Sequence, residues 1–185
     1  MKKCFYYFKS DQNHMEAAKN DSFFKHAKKN DEKHDCKSDK KKDAKLVGFA
    51  YDVADPIINL PLPNNFRLNP QPSTVAAATL DCVKKGDAIW LNALFHVNNN
   101  SGTPVDLVTR IYRGSIAPSN IIYQSIVEID SEGNDDATYA VAQFVDVLPN
   151  DEENVTYFLT AQLRIPGGAL FVYGPITFTV AQIKQ

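Results

Sequence analysis

The chain has no run of about 18 consecutive apolar residues, the length that a membrane-crossing helix requires, so we predict no membrane span. Its first residues, Met1, Lys2 and Lys3, resemble the start of a signal peptide, but the apolar stretch that follows ends at Phe8. A signal peptide needs an apolar region of about 7–15 residues. We therefore expect the protein either to stay in the cytoplasm or to be deposited from inside a cell, without a cleaved signal peptide.

Cysteine is scarce, because the 185-residue chain has only three: Cys4, Cys36 and Cys82. An odd and sparse set does not form an intramolecular disulfide framework. Two interpretations remain open. The three residues are free thiols in a reducing compartment, or they are candidate cross-links between subunits.

Arginine is absent from residues 1–45, which contain 13 Lys and 8 acidic residues, a net charge of +5. Residues 46–185 contain 7 basic and 14 acidic residues, a net charge of −7, so the total of −2 conceals two different parts. From Lys25 to Lys45 no large apolar residue occurs, and such a segment cannot bury enough surface to fold alone. We predict a Lys-rich N-terminal arm over residues 1–45, extended or disordered, and a folded domain over residues 46–185.

Aromatic residues interrupt the polar arm at two places, and aromatic side chains are effective anchors at interfaces. We interpret them as candidate docking residues: Phe5, Tyr6, Tyr7, Phe8, Phe23 and Phe24. Nucleic-acid binding by the lysines is disfavoured, because acidic residues are interspersed among them. Metal binding by His14, His26, His34, Cys36 and Cys4 is also disfavoured, since their spacing matches no paired Cys/His site. The favoured interpretation is a tether that docks on, or cross-links to, a neighbouring copy.

Beyond Leu46, short apolar runs alternate with turn residues, a pattern typical of an all-β sandwich. In residues 154–164, for example, alternate residues from Val155 to Leu163 form an apolar face. Lys85-Gly86-Asp87 predicts a tight turn, in which Gly86 supplies a positive φ. We predict strands at 46–52, 57–62, 74–82, 88–97, 104–113, 121–130, 137–147, 154–164 and 169–183, with a bend or break at Gly174-Pro175.

No helical pattern separates these strands, which excludes a parallel βαβ fold. Eight or nine antiparallel strands predict an antiparallel jelly-roll sandwich. The outward sides of two predicted strands are neutral, and are either a packing surface or a Thr-rich surface facing solvent. Their residues are Thr177 and Thr179 in one strand, and Thr156, Phe158, Thr160 and Gln162 in the other.

We predict no enzyme, cofactor or metal site. The folded domain has one histidine, His96, and a lone strand histidine is more often a packed or surface residue than a catalyst. No nucleophile-elbow, phosphate-loop or zinc-protease motif occurs. The acidic stretch Asp130–Asp136 offers oxygen ligands for Ca²⁺ but lacks the EF-hand spacing.

Three short motifs carry a family resemblance: residues 48–52 with Pro56 and 60–63, residues 83–89, and residues 177–183. They resemble segments of the exosporium basal-layer proteins of spore-forming bacilli (BxpB/ExsF). The last motif is also similar to the end of the C-terminal domain of the collagen-like spore surface glycoprotein BclA. The resemblance implies a jelly roll of the tumour-necrosis-factor/C1q type, often trimeric, with a structural role on the spore surface. The Lys-rich arm departs from the short leader of that family.

From these observations we expect a structural, self-assembling protein of the bacterial spore surface. It would belong to the exosporium layer, or to a spore appendage, fibre or anchor. Its partners would be copies of itself, as a trimer or filament, and other spore-coat or exosporium proteins, with no nucleic acid and no membrane. The alternative is a carbohydrate- or receptor-binding jelly-roll module on a flexible tether.

Overall fold

A computed structural model describes residues 43–54, 67–131 and 138–184. Eight strands form in these segments, mostly because alternate residues are apolar and can be buried on one side of a sheet. In chain order they are β1 (Lys45–Ala54), β2 (Ser73–Val83), β3 (Ala88–Asn99), β4 (Val105–Arg113), β5 (Ile121–Ile129), β6 (Thr138–Val147), β7 (Glu152–Leu163) and β8 (Leu170–Lys184). A 3₁₀ turn at Pro118–Asn120 precedes β5.

The strands form two four-stranded antiparallel sheets, with the orders β1-β8-β3-β6 and β2-β7-β4-β5. Every connection between consecutive strands crosses from one sheet to the other, except the β4–β5 hairpin. This is the connectivity of a jelly roll, so the predicted antiparallel jelly-roll sandwich is confirmed. The sheet β1-β8-β3-β6 is called sheet A, and the sheet β2-β7-β4-β5 is called sheet B.

The core lies between the two sheets and consists of the apolar faces that the alternation predicted. The inward residues of β3 from Ile89 to Val97 are fully buried, and the inward residues of β7 from Val155 to Leu163 are nearly so. The apolar face predicted for residues 154–164 is therefore confirmed.

Turn and bulge positions also follow the sequence. Gly86 has a φ of +84°, and Asp87 N donates to Lys84 O at 3.1 Å, which closes the turn between β2 and β3. At Gly174-Pro175 the strand β8 continues, but its register against β3 shifts between Leu94 and His96. The predicted break is thus a bulge within one long strand, because β3 pairs with β8 on both sides of it.

Several predictions lie outside the described residues. The predicted strand 57–62 is one of them, as are nearly all of the arm and most of the acidic stretch Asp130–Asp136.

Candidate interaction face

The outward side of sheet A is the most unusual surface of the described chain. The register aligns its outward residues in rows across the four strands. One row, for example, runs from Phe49 on β1 through Ala181 and Trp90 to Val145 on β6. We call this surface the sheet-A face, and its residues are Leu46, Phe49, Tyr51, Val53, Tyr173, Thr177, Thr179, Ala181, Ile183, Ala88, Trp90, Asn92, Leu94, His96, Tyr139, Val141, Gln143, Val145 and Val147.

Large apolar side chains are exposed across the whole sheet-A face. Trp90, on the inner strand β3, is 46% exposed, and Tyr51 and Tyr139, towards two borders of the face, are 65% and 66% exposed. Phe49, in the row of Trp90, and Val141, two rows away, are each about half exposed. Exposed apolar residues that occur singly need no explanation, but a contiguous set of this kind marks an interaction surface.

The sheet-A face carries no Asp, Glu, Lys or Arg at any of its positions. Sheet B has a different outward side, with Arg110 near its middle and the pair Asp106 and Glu128 at one end. Arg110 donates hydrogen bonds to Gln124 Oε1 at 2.7 Å and to Gln162 Oε1 at 2.9 Å. Only one of the two outer surfaces is therefore free of charge.

The extent of the sheet-A face follows from strand geometry. Four strands about 4.8 Å apart and five rows about 6.8 Å apart cover roughly 600 Å² in projection. The largest apolar patch on an ordinary monomer is about 300–600 Å². A standard protein interface buries about 800 Å² on each partner. The face therefore lies at the upper limit for a monomer and approaches the size of an interface.

A pair of amides lies in the middle row of the sheet-A face. Gln143 Nε2 donates to Asn92 Oδ1 at 3.1 Å, and Thr179 Oγ1 donates to the backbone oxygen of Asn92 at 3.2 Å. Two further polar functions, the amide nitrogen of Asn92 and the amide oxygen of Gln143, remain for a partner. The face therefore combines aromatic rings with a few directional polar groups.

His96 lies at one end of the face, on β3 between Tyr173 of β8 and Tyr139 of β6. Its ring centroid is 4.6 Å from that of Tyr139, and the rings are tilted by 53°. His96 therefore packs against the ring of Tyr139 on the outward side of β3.

Polar contacts between the sheets hold sheet A in place. Arg113 Nη1 on β4 binds both carboxylate oxygens of Asp146 on β6, at 3.0 and 3.2 Å. The hydroxyl of Tyr157, on β7, donates to Asp146 Oδ2 at 3.0 Å. Burial raises the pKa of Tyr157 well above its usual range, and the negative charge of Asp146 adds to the effect. On the opposite side, Ala77 N on β2 donates to Asp52 Oδ2 on β1 at 2.9 Å.

A depression of about 530 Å³ lies beside one end of sheet A, and Cys82 is on its wall. Its other lining residues are Val47, Lys84, Lys85, Gly86, Asp87, Gln182 and Lys184. Lys84 Nζ lies 2.9 Å from Asp151 Oδ2, and this hydrogen bond raises the pKa of Lys84. Hydrogen bonds from the backbone N–H of Lys85 and from Lys84 lower the pKa of Asp151.

Among the predicted site residues, the structure describes only Cys82, which is an exposed free thiol near the end of β2. The other candidate cross-links, Cys4 and Cys36, and the six candidate docking aromatics lie outside the described residues. In the described segments, no group of three or more His, Cys, Asp or Glu side chains is arranged to hold a metal ion. No helix in those segments is long and apolar enough to cross a membrane.

The sequence predicts only part of the sheet-A face. It identified two neutral strand sides, but Thr177 and Thr179 lie on the sheet-A face, whereas Thr156 and Phe158 lie on sheet B. The contributions of β1 and β6 were missed. The sequence contains a signal for these contributions, because both sides of β1 and β6 are largely apolar. Their outward residues, such as Tyr51 and Val145, are apolar, and their inward residues are mostly apolar or small.

No family model and no curated protein matches the chain. Similar solved structures include the infectious bursal disease virus VP2 subviral particle, with 10% identity, a TM-score of 0.39, and coverage of 77% of this chain but only 39% of the viral one. A structure described as "CBM4 structure and function" has 12% identity and a TM-score of 0.29, covering 76% of this chain and 77% of the other. A family 16 carbohydrate-binding module has 16% identity and a TM-score of 0.23, covering 63% and 71%.

Proposed function

We propose that this chain is a structural protein that self-assembles, with copies packing against one another through the sheet-A face. The observation that carries the proposal is a surface four strands wide with exposed aromatic residues and no charged residue. Covering such a surface removes apolar area from water at no cost for desolvating ions.

A second copy of the chain is the occupant that fits this face best. In a symmetric contact, a charged surface meets its own charge, whereas a neutral surface meets no like charge. The projected area of roughly 600 Å² approaches the 800 Å² or so that each partner of a stable complex buries. The amides of Asn92 and Gln143 each contain both a donor and an acceptor, so they can pair with the same groups of another copy.

The wider role that we propose is in the surface layer or an appendage of a bacterial spore. It is supported by the resemblance to exosporium proteins of residues 48–52 with Pro56 and 60–63, of residues 83–89, and of residues 177–183. In this proposal the arm tethers each copy to a neighbour or an underlying layer, and Cys4, Cys36 and Cys82 cross-link chains. Cys82 supports this idea because its thiol is exposed. Non-reducing gels of spore extracts would show reducible multimers, and finding only monomer would contradict cross-linking.

The main test is the mass of the purified full-length protein in solution, measured by light scattering after gel filtration. We expect wild type to be oligomeric at micromolar concentration. We expect Val145→Glu to weaken association at least tenfold, because its carboxylate would be buried without a partner.

The matched control is Ile126→Glu. Ile126 is also an exposed β-branched residue on an edge strand, 46% exposed against 53% for Val145, but it lies on sheet B. This variant is expected to associate like wild type. A monomeric wild type, or equal effects of the two substitutions, would overturn the proposal.

A second function, carbohydrate binding, is favoured by one observation. The amide pair of Asn92 and Gln143 lies in the same row as Tyr51, beside the row that contains the ring of Trp90. Aromatic platforms beside directional polar groups can hold an apolar ring bearing hydroxyls. If this function is correct, wild type binds glycans on an array as a monomer, and Trp90→Ala abolishes binding. Failure of every glycan to bind would remove this candidate.

A further inference from the structure

The strand β6 forms an unprotected edge of sheet A. Among the described strands it pairs only with β3, so the backbone groups along its other side have no strand partner. Such a row of N–H and C=O groups can pair with a further strand, and proteins that avoid this contact protect their edges with charges, prolines or bulges. β6 contains no proline, and its register against β3 shows no bulge. Its one charged residue, Asp146, is buried and bound by Arg113 and Tyr157.

The other three edge strands, β1, β2 and β5, are protected. Each has a register shift against its neighbour and an exposed charged residue, which is Lys45 in β1, Asp81 in β2 and Glu128 in β5. One edge N–H of β2, that of Ala77, is also bound by the side chain of Asp52. Because β6 lacks both protections, it is the edge at which a further strand is most easily added.

A second copy of β6 is the strand that fits this edge. Antiparallel pairing about a two-fold axis through Gln143 keeps the outward residues of both copies on one side, with Val141 opposite Val145 of the other copy. The Gln143 amide contains a donor and an acceptor, so it can pair with its own copy. No outward residue of β6 is charged, so the paired strands meet no like charge although each folded domain carries a net charge of −7.

The backbone groups of β6 can supply the hydrogen bonds of a whole interface. Residues 139–147 would form about nine residue pairs with their copy, of which every second pair exchanges two hydrogen bonds, giving about eight to ten bonds. A typical protein interface contains about 10 direct hydrogen bonds. The length of the strand is therefore sufficient for a specific contact.

Pairing through β6 would also join two sheet-A faces into one surface. Outward residues lie opposite outward residues, so both faces are on the same side of the extended sheet, with roughly 1,200 Å² in projection. A single face falls short of the 800 Å² or so that each partner of a standard interface buries, whereas the joined faces exceed it. Two such pairs could then pack face to face as a closed tetramer.

We propose that two copies of the chain pair edge to edge through β6 and form one continuous eight-stranded sheet. This contact goes beyond the proposed packing through the sheet-A face, because it is made by backbone groups at the edge of the sheet. It forms whether or not the faces pack.

The test is disulfide trapping in the full-length protein. Cys4, Cys36 and Cys82 are first replaced by serine, so that the further substitution Gln143→Cys leaves one thiol in each chain. In the proposed pairing the two Cα atoms at this position lie about 4.5–5.5 Å apart, which is within the range that a disulfide spans. We expect glutathione disulfide, as the oxidant, to convert most of this variant to a covalent dimer on non-reducing gels.

Asn92→Cys, in the same serine background, is the matched control. Asn92 lies in the same row on β3, and the two substitutions remove opposite halves of the same amide pair. In an edge pair the two copies of Asn92 are three strand spacings apart, about 14 Å, which is too far for a disulfide. We expect about tenfold less covalent dimer than for Gln143→Cys, and circular dichroism checks that both variants are folded.

A second measurement needs no oxidation. Gln143→Lys or Gln143→Glu places like charges opposite each other across the two-fold axis, whereas a mixture of the two variants places opposite charges there. We expect each variant alone to associate about tenfold more weakly than the mixture in sedimentation velocity. Equal association of the mixture and the separate variants would contradict edge pairing.

The outcomes separate edge pairing from face packing. Similar amounts of covalent dimer from Gln143→Cys and Asn92→Cys would show contact through the face, and would overturn edge pairing while face packing stands. No dimer from a folded Gln143→Cys protein would overturn edge pairing alone. Trp90→Glu, on the inner strand β3, disrupts the face without reaching the edge, so trapping at position 143 should persist in this variant. Its loss would also overturn the proposal.

Discussion

At the scale of single residues, a few buried polar groups connect the two sheets. Asp146 is the clearest example, because it is only 8% exposed and receives hydrogen bonds from Arg113 and Tyr157. Its partners come from two different strands of sheet B. A buried carboxylate requires such partners, and with them it fixes where β6 lies over sheet B.

We predict that Tyr157→Phe lowers the free energy of unfolding by about 1–3 kcal/mol, because the ring still fills the core while Asp146 loses one donor. Urea unfolding followed by tryptophan fluorescence measures this difference. Thr79→Val is a suitable control, since it removes a hydroxyl from a partly buried pair with Thr156. An equal loss of stability in both variants would contradict a special role for the contact between Tyr157 and Asp146.

The raised pKa of Tyr157 also predicts alkaline destabilisation. In the unfolded chain this phenol ionises near its ordinary pKa of 10.0, whereas in the folded protein the pKa is higher. The unfolded state therefore loses a proton first, and stability falls as the pH rises above about 10. Unfolding measured between pH 8 and 11 should show a steeper fall for wild type than for Tyr157→Phe. Parallel curves would contradict this assignment.

At the scale of elements, strands and turns follow local sequence rules closely. β3 and β7 bury the alternate residues that the apolar pattern predicts, and Gly86 adopts the positive φ that its turn needs. The edge strands of the two sheets do not follow from local sequence rules, because they depend on which strands pair. The structure places β1 and β6 at the edges of sheet A, and β2 and β5 at those of sheet B.

We predict that Gly86→Ala destabilises the domain by about 1 kcal/mol or more, since a φ of +84° is unfavourable for a residue with a Cβ. An added Cβ meets nothing within 4 Å, so the cost is one of backbone conformation rather than of crowding. Gly102→Ala is the matched control, because its Cβ also enters open space and its φ is not in the left-handed region. Thermal unfolding should show a lower midpoint for Gly86→Ala only.

At the scale of the whole molecule, two kinds of contact between copies can be separated by salt. Association through the uncharged sheet-A face involves no ion pairs and depends little on ionic strength. Contacts between the arm, with a charge of +5, and the folded domain, with −7, are screened by salt.

We therefore predict that the oligomer formed through the sheet-A face persists from 50 mM to 1 M NaCl, as measured by light scattering. Removal of residues 1–45 should leave this oligomer in place but prevent any larger filaments or sheets seen by electron microscopy. An oligomer that dissociates at high salt would assign association to the arm instead of the face.

The sequence by itself determined the strands, their inward faces and the turn at Gly86, because these depend on alternation and on local backbone preferences. It also predicted the jelly roll, since eight or nine short antiparallel strands without helices allow few other arrangements. Only the tertiary structure decided that Tyr51, Trp90 and Val145 share one uncharged surface. Those residues lie far apart in the chain, and the surface exists only when β1, β8, β3 and β6 pair in that order. The alternation of apolar residues fixes which residues of one strand lie on the same side of the sheet. Long-range pairing fixes which strands are neighbours, and therefore which of these sides form one surface.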